Sequence, residues 1–161
     1  MPLRSRSTMI VIAALAVGIA TGSYATAALR ATPQPAVRDP LASTDNPIAG
    51  KGETLGLSLV TIPVGAVLAL HHHPGTDVAY ISQGTLAYSV KSGHVTVMSG
   101  PAGGSTVVRQ ITAGQTGTLK KGEWIIENPS VIHHAANHGN QPVVVYISSL
   151  YPIGAAAAIP N

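Results

Sequence analysis

The stretch GAVLALHHHPGTDVAYISQG, Gly65 to Gly84, decides how the rest of this chain is read. Its first half is rich in Val and Leu, and runs into His71, His72 and His73. Successive side chains of a strand point to opposite faces, so His71 and His73 share one face and His72 takes the other. Two imidazoles on one face of one strand can chelate a single cation. Pro74-Gly75 then breaks the strand, and Asp77 opens the next one near enough to bring a carboxylate to the same cation. A second cluster, His133-His134 with His138, follows some distance on, and His133 sits inside the strand-like run VIHHAAN. From across a sheet it completes a set of three imidazoles and a carboxylate. Such a set suits Mn, Fe, Co, Ni, Cu or Zn, and does not suit Ca or Mg.

Working outward from this stretch, the chain from Glu53 onward is a succession of short runs rich in Val, Ile, Thr and Tyr, separated by Gly, Pro and Asn. The spacing predicts strands over 54–62, 66–73, 77–82, 85–90, 94–98, 106–112, 116–119, 123–127, 131–137 and 143–149. No stretch here holds helical periodicity, so the class is all-β, a sandwich or a barrel. Residues 28–52, with Pro33, Pro35, Pro40 and Pro47, are expected to be a linker or extended arm. The strand-forming part spans 53–152, and 153–161 is expected to be a loose tail.

The chain has 161 residues with 45% hydrophobic and 9% charged, which suits one packed domain. It contains no Cys, which excludes disulfides, thiolate chemistry and iron–sulfur clusters. The formal charge is +3, but two of the basic residues are Arg4 and Arg6 at the extreme N-terminus. Without them the balance is near neutral, so nucleic acid is not an expected partner.

That N-terminus has the order of an export signal: Arg4 and Arg6 without an acid, the apolar run MIVIAALAVGIA over 9–20, then Ala25-Thr26-Ala27. The last of these fits an A-x-A cleavage pattern, so residues 1–27 are expected to be a signal peptide and the mature protein periplasmic or secreted. The competing expectation is an uncleaved anchor, since Met9 to Ala28 is mostly apolar.

At its histidines the chain resembles a cupin. The first cupin motif is G, five residues, H-x-H, three or four residues, E, six residues, G. Gly65, His71, His73, Asp77 and Gly84 keep that spacing, with Asp in place of Glu. The second motif is G, five residues, P-x-G, two residues, H, three residues, N. Gly122, His133 and Asn137 keep its spacing, while Pro129 falls one place late and Ser130 or Val131 stands where Gly is expected. The resemblance covers about 55 to 150. It implies a double-stranded β-helix, a small jelly-roll barrel with an internal pocket. It also implies a divalent transition metal held by His71, His73, Asp77 and His133. Asp is shorter than Glu by about 1.5 Å of reach, whereas ligand distances tolerate about 0.2 Å. The backbone therefore moves closer, a water bridges, or the site is a three-His site.

Each assignment has a plainer competitor. A lone strand histidine is more often hydrogen-bonded than metal-bound, a run of three can be a solvated edge, and Asp77 after Pro74-Gly75 can simply cap the turn. His72 and His134 are expected to face outward, and His94 and His138 to be solvated. With the histidines inward, alternation puts Val67 and Ala69 on their face, with Ala79 and Ile81 beside Asp77. Leu68, Leu70, Val78 and Tyr80 then point out, and such an apolar exterior suggests a homodimer to which the 28–52 arm contributes. Few other acids or bases are available beyond Glu123, Glu127, Tyr80, Tyr88 and Tyr146; Glu127, at the end of a strand, can reach a barrel mouth but is expected to be solvated. Three functions fit: a metal-dependent enzyme (dioxygenase, decarboxylase or isomerase) acting on a small oxygenated molecule, a non-catalytic module binding a metal or small ligand, or a structural barrel. N-terminal sequencing of the exported protein is expected to begin at about Ala28. A product that starts at Met1 or Pro2 and stays with membranes supports the anchor instead.

Overall fold

A computed structural model describes residues 34–161 of the chain. The expected signal segment 1–27 lies outside the described residues. Twelve strands follow in order: β1 Val37–Asp45, β2 Glu53–Ile62, β3 Val67–His72, β4 Thr76–Gln83, β5 Thr85–Ser92 and β6 His94–Ser99. After a turn of 3-10 helix at Ala102–Gly104 come β7 Thr106–Thr112, β8 Thr116–Lys120, β9 Glu123–Glu127, β10 Ile132–Ala136, β11 Val143–Pro152 and β12 Ile159–Pro160. No helix among the described residues is long and apolar enough to cross a membrane.

The pairing is nested: β6 pairs with β7, β5 with β8, β4 with β9, β3 with β10 and β2 with β11, all antiparallel. The chain is thus one long hairpin with its tip at Gly100 to Ser105. Alternate rungs fall in opposite sheets, ordered β1-β2-β11-β4-β9-β6-β7 and β12-β3-β10-β5-β8. A hairpin wound between two facing sheets is the double-stranded β-helix, and the fold is therefore all-β in that sense. Between the sheets lies a core of Ile62, Ile81, Val97, Ile111, Leu119 and Ile125, each 2% exposed or less. Burial alternates along each inward face, as the sequence pattern requires; β4, for example, buries Asp77, Ala79 and Ile81 and exposes Val78 and Tyr80.

Two glycines are fixed by geometry. Gly84 takes φ +80° in the β4–β5 turn, where a side chain would also press on Pro142 and Val143. Gly75, between His73 and Asp77, passes so close to the Leu150 carbonyl that a Cβ there would collide with its oxygen. The turn joining two candidate site residues is thereby seated directly on β11.

Within the segment 28–52, expected to be a linker or extended arm, Val37–Asp45 pairs with β2 as an edge strand, and an edge is where Pro40 costs least, since its missing N–H is not needed there. Two expectations require correction. The tail 153–161 is not loose, because Ile159 and Pro160 pair with His72 and His71 and the Asn161 amide N–H donates to the Leu70 carbonyl. The face assignment in β3 is wrong before His71. Val67 is 65% exposed while Leu68 packs against the core. Opposite it, β10 pairs His133 with His71 but Ala135 with Leu68, so β3 carries an extra residue between them. This irregularity reverses the alternation, which a reading by simple period two cannot register.

Outside the core, Arg109 of β7 grips Glu123 at the start of β9. Its two terminal nitrogens donate at 2.9 and 2.6 Å, and the Lys120 N–H adds a third bond at 2.8 Å. The Arg109 guanidinium holds the Glu123 carboxyl below the usual carboxylate range, against the opposing effect of burial. A depressed folded-state value means that the stabilisation is present above the ordinary Glu range and is lost as pH falls through the folded value. Glu123→Gln is therefore expected to cost about 1 kcal/mol at pH 7, near the low end for charge-assisted bonds because the pair is partly solvated. That deficit is expected to shrink as pH falls below the ordinary Glu range and to vanish below the depressed folded-state value. Urea unfolding across pH checks both parts.

Candidate metal centre

Register builds the site. His133 of β10 lies directly opposite His71 of β3, and Asp77 of β4 lies directly opposite Glu127 of β9. His73 follows the end of β3 and turns back toward both pairs. The ring centroids of His71 and His133 are 4.3 Å apart, those of His71 and His73 5.0 Å, and those of His73 and His133 5.2 Å. One nitrogen from each of the three rings falls within 4.8 Å of the others, and His73, Asp77 and Glu127 form a second such group. All five residues are buried. A buried His/Asp/Glu group of this kind could hold a metal ion.

Hydrogen bonds decide which ring atoms are available. His71 Nδ1 lies 2.6 Å from the Ala69 carbonyl and His73 Nδ1 2.6 Å from the Ala157 carbonyl. A carbonyl only accepts, so each Nδ1 carries a proton, and Nε2 is the atom through which each ring can act as a ligand. Burial holds His71 below the ordinary imidazole value and pushes His133 down to about 4, so both rings are neutral near pH 7. Neutral imidazoles with free Nε2 atoms are what a metal requires.

The two carboxylates divide. Glu127 is 3% exposed and lines the central cavity, with Oε1 3.2 Å from His133 Nε2 and Oε2 3.5 Å from His73 Nε2. It accepts a 2.6 Å bond from the Tyr88 hydroxyl, and that ring stacks on His133. The expectation of a solvated Glu127 is overturned: alternation in β9 buries Glu123, Ile125 and Glu127 together. Asp77 is fully buried and is not part of the cavity wall; it accepts the Tyr151 hydroxyl proton and lies 3.4 Å from His73 Nδ1, on the ring edge away from Glu127. Desolvation raises its carboxyl to about 6, with His73 and the Tyr151 hydrogen bond opposing the rise. The structure thus brings His71, His73 and His133 together and sets Asp77 behind His73. His72 points away from the cluster to Asn161, and His134 is exposed.

The cavity, about 370 Å³, is walled by aliphatic side chains such as Ile62, Leu86, Ile125 and Ile147, with the histidine cluster on one side. Sequence reasoning counted Glu127 and Tyr88 among the few available acids and bases without placing them in the site, and it missed Tyr151. Glu127 was findable from the inward alternation of EWIIE just where the motif's Glu is shortened to Asp77, whereas nothing local marks Tyr151 or the Ala157 carbonyl.

No protein-family model matches this sequence, and no curated protein matches it significantly. Among solved structures, a cupin-like protein from Thermotoga maritima is 19% identical, with a TM-score of 0.49 over 78% of this chain and 75% of that one. A cupin 2 domain-containing protein from Halorhodospira halophila is 12% identical, with a TM-score of 0.48 over 82% and 76%. The DMSP lyase DddQ from Ruegeria pomeroyi is 16% identical, with a TM-score of 0.46; 66% of this chain spans only 43% of that one. The nested strand pairing, with the two histidine clusters meeting on neighbouring antiparallel strands, is a double-stranded β-helix, the fold that the cupin-like spacing implies.

Proposed function

We propose that this protein is a metal-dependent enzyme. In this reading it binds one divalent transition metal, of the series Mn, Fe, Co, Ni, Cu or Zn, through Nε2 of His71 and His73, the His133 imidazole and the Glu127 carboxylate. The observation that carries it is the convergence of three buried imidazoles and a cavity-facing carboxylate in an apolar pocket. When bound, such an ion supplies a Lewis acid that polarises a substrate oxygen. The chain's own contributions are positional. Carbonyls of Ala69 and Ala157 fix two rings, Tyr88 fixes Glu127, Asp77 and Tyr151 back His73, and the aliphatic walls exclude bulk water. The reaction classes that fit are dioxygenase, decarboxylase or isomerase chemistry on a small oxygenated molecule. A non-catalytic binding module is the second reading. It is favoured by the engagement of every histidine, tyrosine and carboxylate of the cavity wall in the cluster itself, which leaves none of these groups free for general acid–base work.

Elemental analysis of untagged protein is expected to give one metal per chain. His71→Ala is expected to remove it and His72→Ala to retain it. Glu127→Gln is expected to weaken binding by about 100-fold or more and Asp77→Asn by only about tenfold. The reverse order would return the fourth position to Asp77. Turnover of diols, hydroxy acids or phenolic compounds under air supports the enzyme, and full metal occupancy without turnover supports the binding module.

We infer two further properties. The order of charged, apolar and small residues over 1–27 supports export to the periplasm or medium. The outer face of the larger sheet supports a homodimer: Tyr146 is opposite Tyr80, Tyr80 opposite Trp124 and Val78 opposite Ile126, giving a continuous apolar belt with Leu57 beside it. Tyr80→Glu is expected to shift the protein from dimer to monomer in sedimentation without loss of bound metal.

A further inference from the structure

The cavity wall carries one cation from Lys or Arg, and it comes from the edge strand. Arg38 of β1 is half-buried at the rim and lines the cavity with Ala36 and Val37. Its Nε donates to the Ser58 hydroxyl at 3.2 Å, which fixes the plane of the guanidinium. Among the described residues no carboxylate lies within 4.0 Å of it, whereas Arg109 at the surface is fully paired. Its charge favours the anions of Asp77 and Tyr151 against the larger opposing effect of their burial, and it shares the cavity wall with His71 and His73.

A half-buried guanidinium without an anion, beside aliphatic walls, is a costly arrangement unless a ligand completes it. The fork of a guanidinium matches the two oxygens of a carboxylate. We propose that Arg38 is the specificity-determining residue for an anionic ligand: the cavity takes a small carboxylic acid with an apolar body, its carboxylate on Arg38 and its remaining oxygen functions toward the histidine cluster. This rests on the cavity being the substrate site, as proposed above, and adds the substrate's charge. The apolar wall argues against a sugar-like body, and the rim position of Arg38 lets a carboxylate keep part of its hydration.

The test uses zinc-loaded full-length protein and matched neutral isosteres, hexanoate against hexanamide and benzoate against benzamide, titrated by calorimetry. Wild type is expected to bind each acid about tenfold or more tightly than its amide. Arg38→Met is expected to bring the acid-to-amide ratio near one, and Arg38→Lys to keep part of the preference, which also controls for folding. If Arg38 served only to offset Asp77, Arg38→Met would change thermal stability but leave the ratio intact, and the proposal would fall. It falls equally if wild type binds acid and amide alike, or binds no acid measurably. Zinc content, measured in parallel, keeps the two readings apart. Loss of zinc from wild type overturns the metal site, whereas loss of acid preference with zinc retained overturns only the role of Arg38.

Discussion

Taking three imidazoles and two carboxylates out of water is the event around which this barrel is organised. Each unpaired polar group buried in an apolar interior is destabilising by about 1–3 kcal/mol, so the surrounding chain has to supply partners. It does so from widely separated places: Tyr88 on β5 for Glu127, Tyr151 on β11 for Asp77, the irregular backbone at Ala69 for His71 and the terminal segment at Ala157 for His73. Two atoms, Asp77 Oδ1 and His133 Nδ1, remain buried without a protein partner. The cluster is thus nearly but not wholly satisfied, as befits a polar group assembled to meet something besides itself.

The shortened carboxylate of the first motif is the key to the local design. Asp77 cannot reach as far as Glu, and Glu127 stands on the adjoining strand directly opposite it. The acid that meets the cavity therefore arrives from a different strand, while Asp77 is left to Tyr151 and the rear edge of His73. One acid faces the cavity and the other supports the ring between them.

The parts of this arrangement that follow period two and turn chemistry were legible in the sequence. The ten strands from Glu53 onward, the shared face of His71 and His73, and the approach of His133 from across a sheet follow from alternation and from Gly and Pro punctuation. The parts that depend on contacts between distant segments were not. The extra residue in β3 depends on pairing with β10, so Val67 and Leu68 exchange faces without a local signal. β1 and β12 lack the Val- and Ile-rich pattern because each is held at a sheet edge by backbone bonds, which composition does not record. Glu127 was misassigned for a related reason, since an acid at a strand end is ordinarily solvated, and only the register with Asp77 shows otherwise.

Nested pairing has a consequence for when the molecule becomes competent. The innermost rung, β6 with β7, joins residues close in sequence, and each further rung joins residues more remote. The histidine set spans the rung of β3 and β10, so a chain growing from its N-terminus carries His71 and His73 long before their third member is made. The carbonyl that orients His73 comes later still, from Ala157, and the cavity is also walled by residues near both ends of the described chain, Ala36 to Arg38 and Ala157, Ala158 and Pro160. A nascent or clipped polypeptide consequently exposes a pair of imidazoles but no finished chamber. The chamber closes only once the segment from Ala157 to Pro160 has been made and has docked against β3.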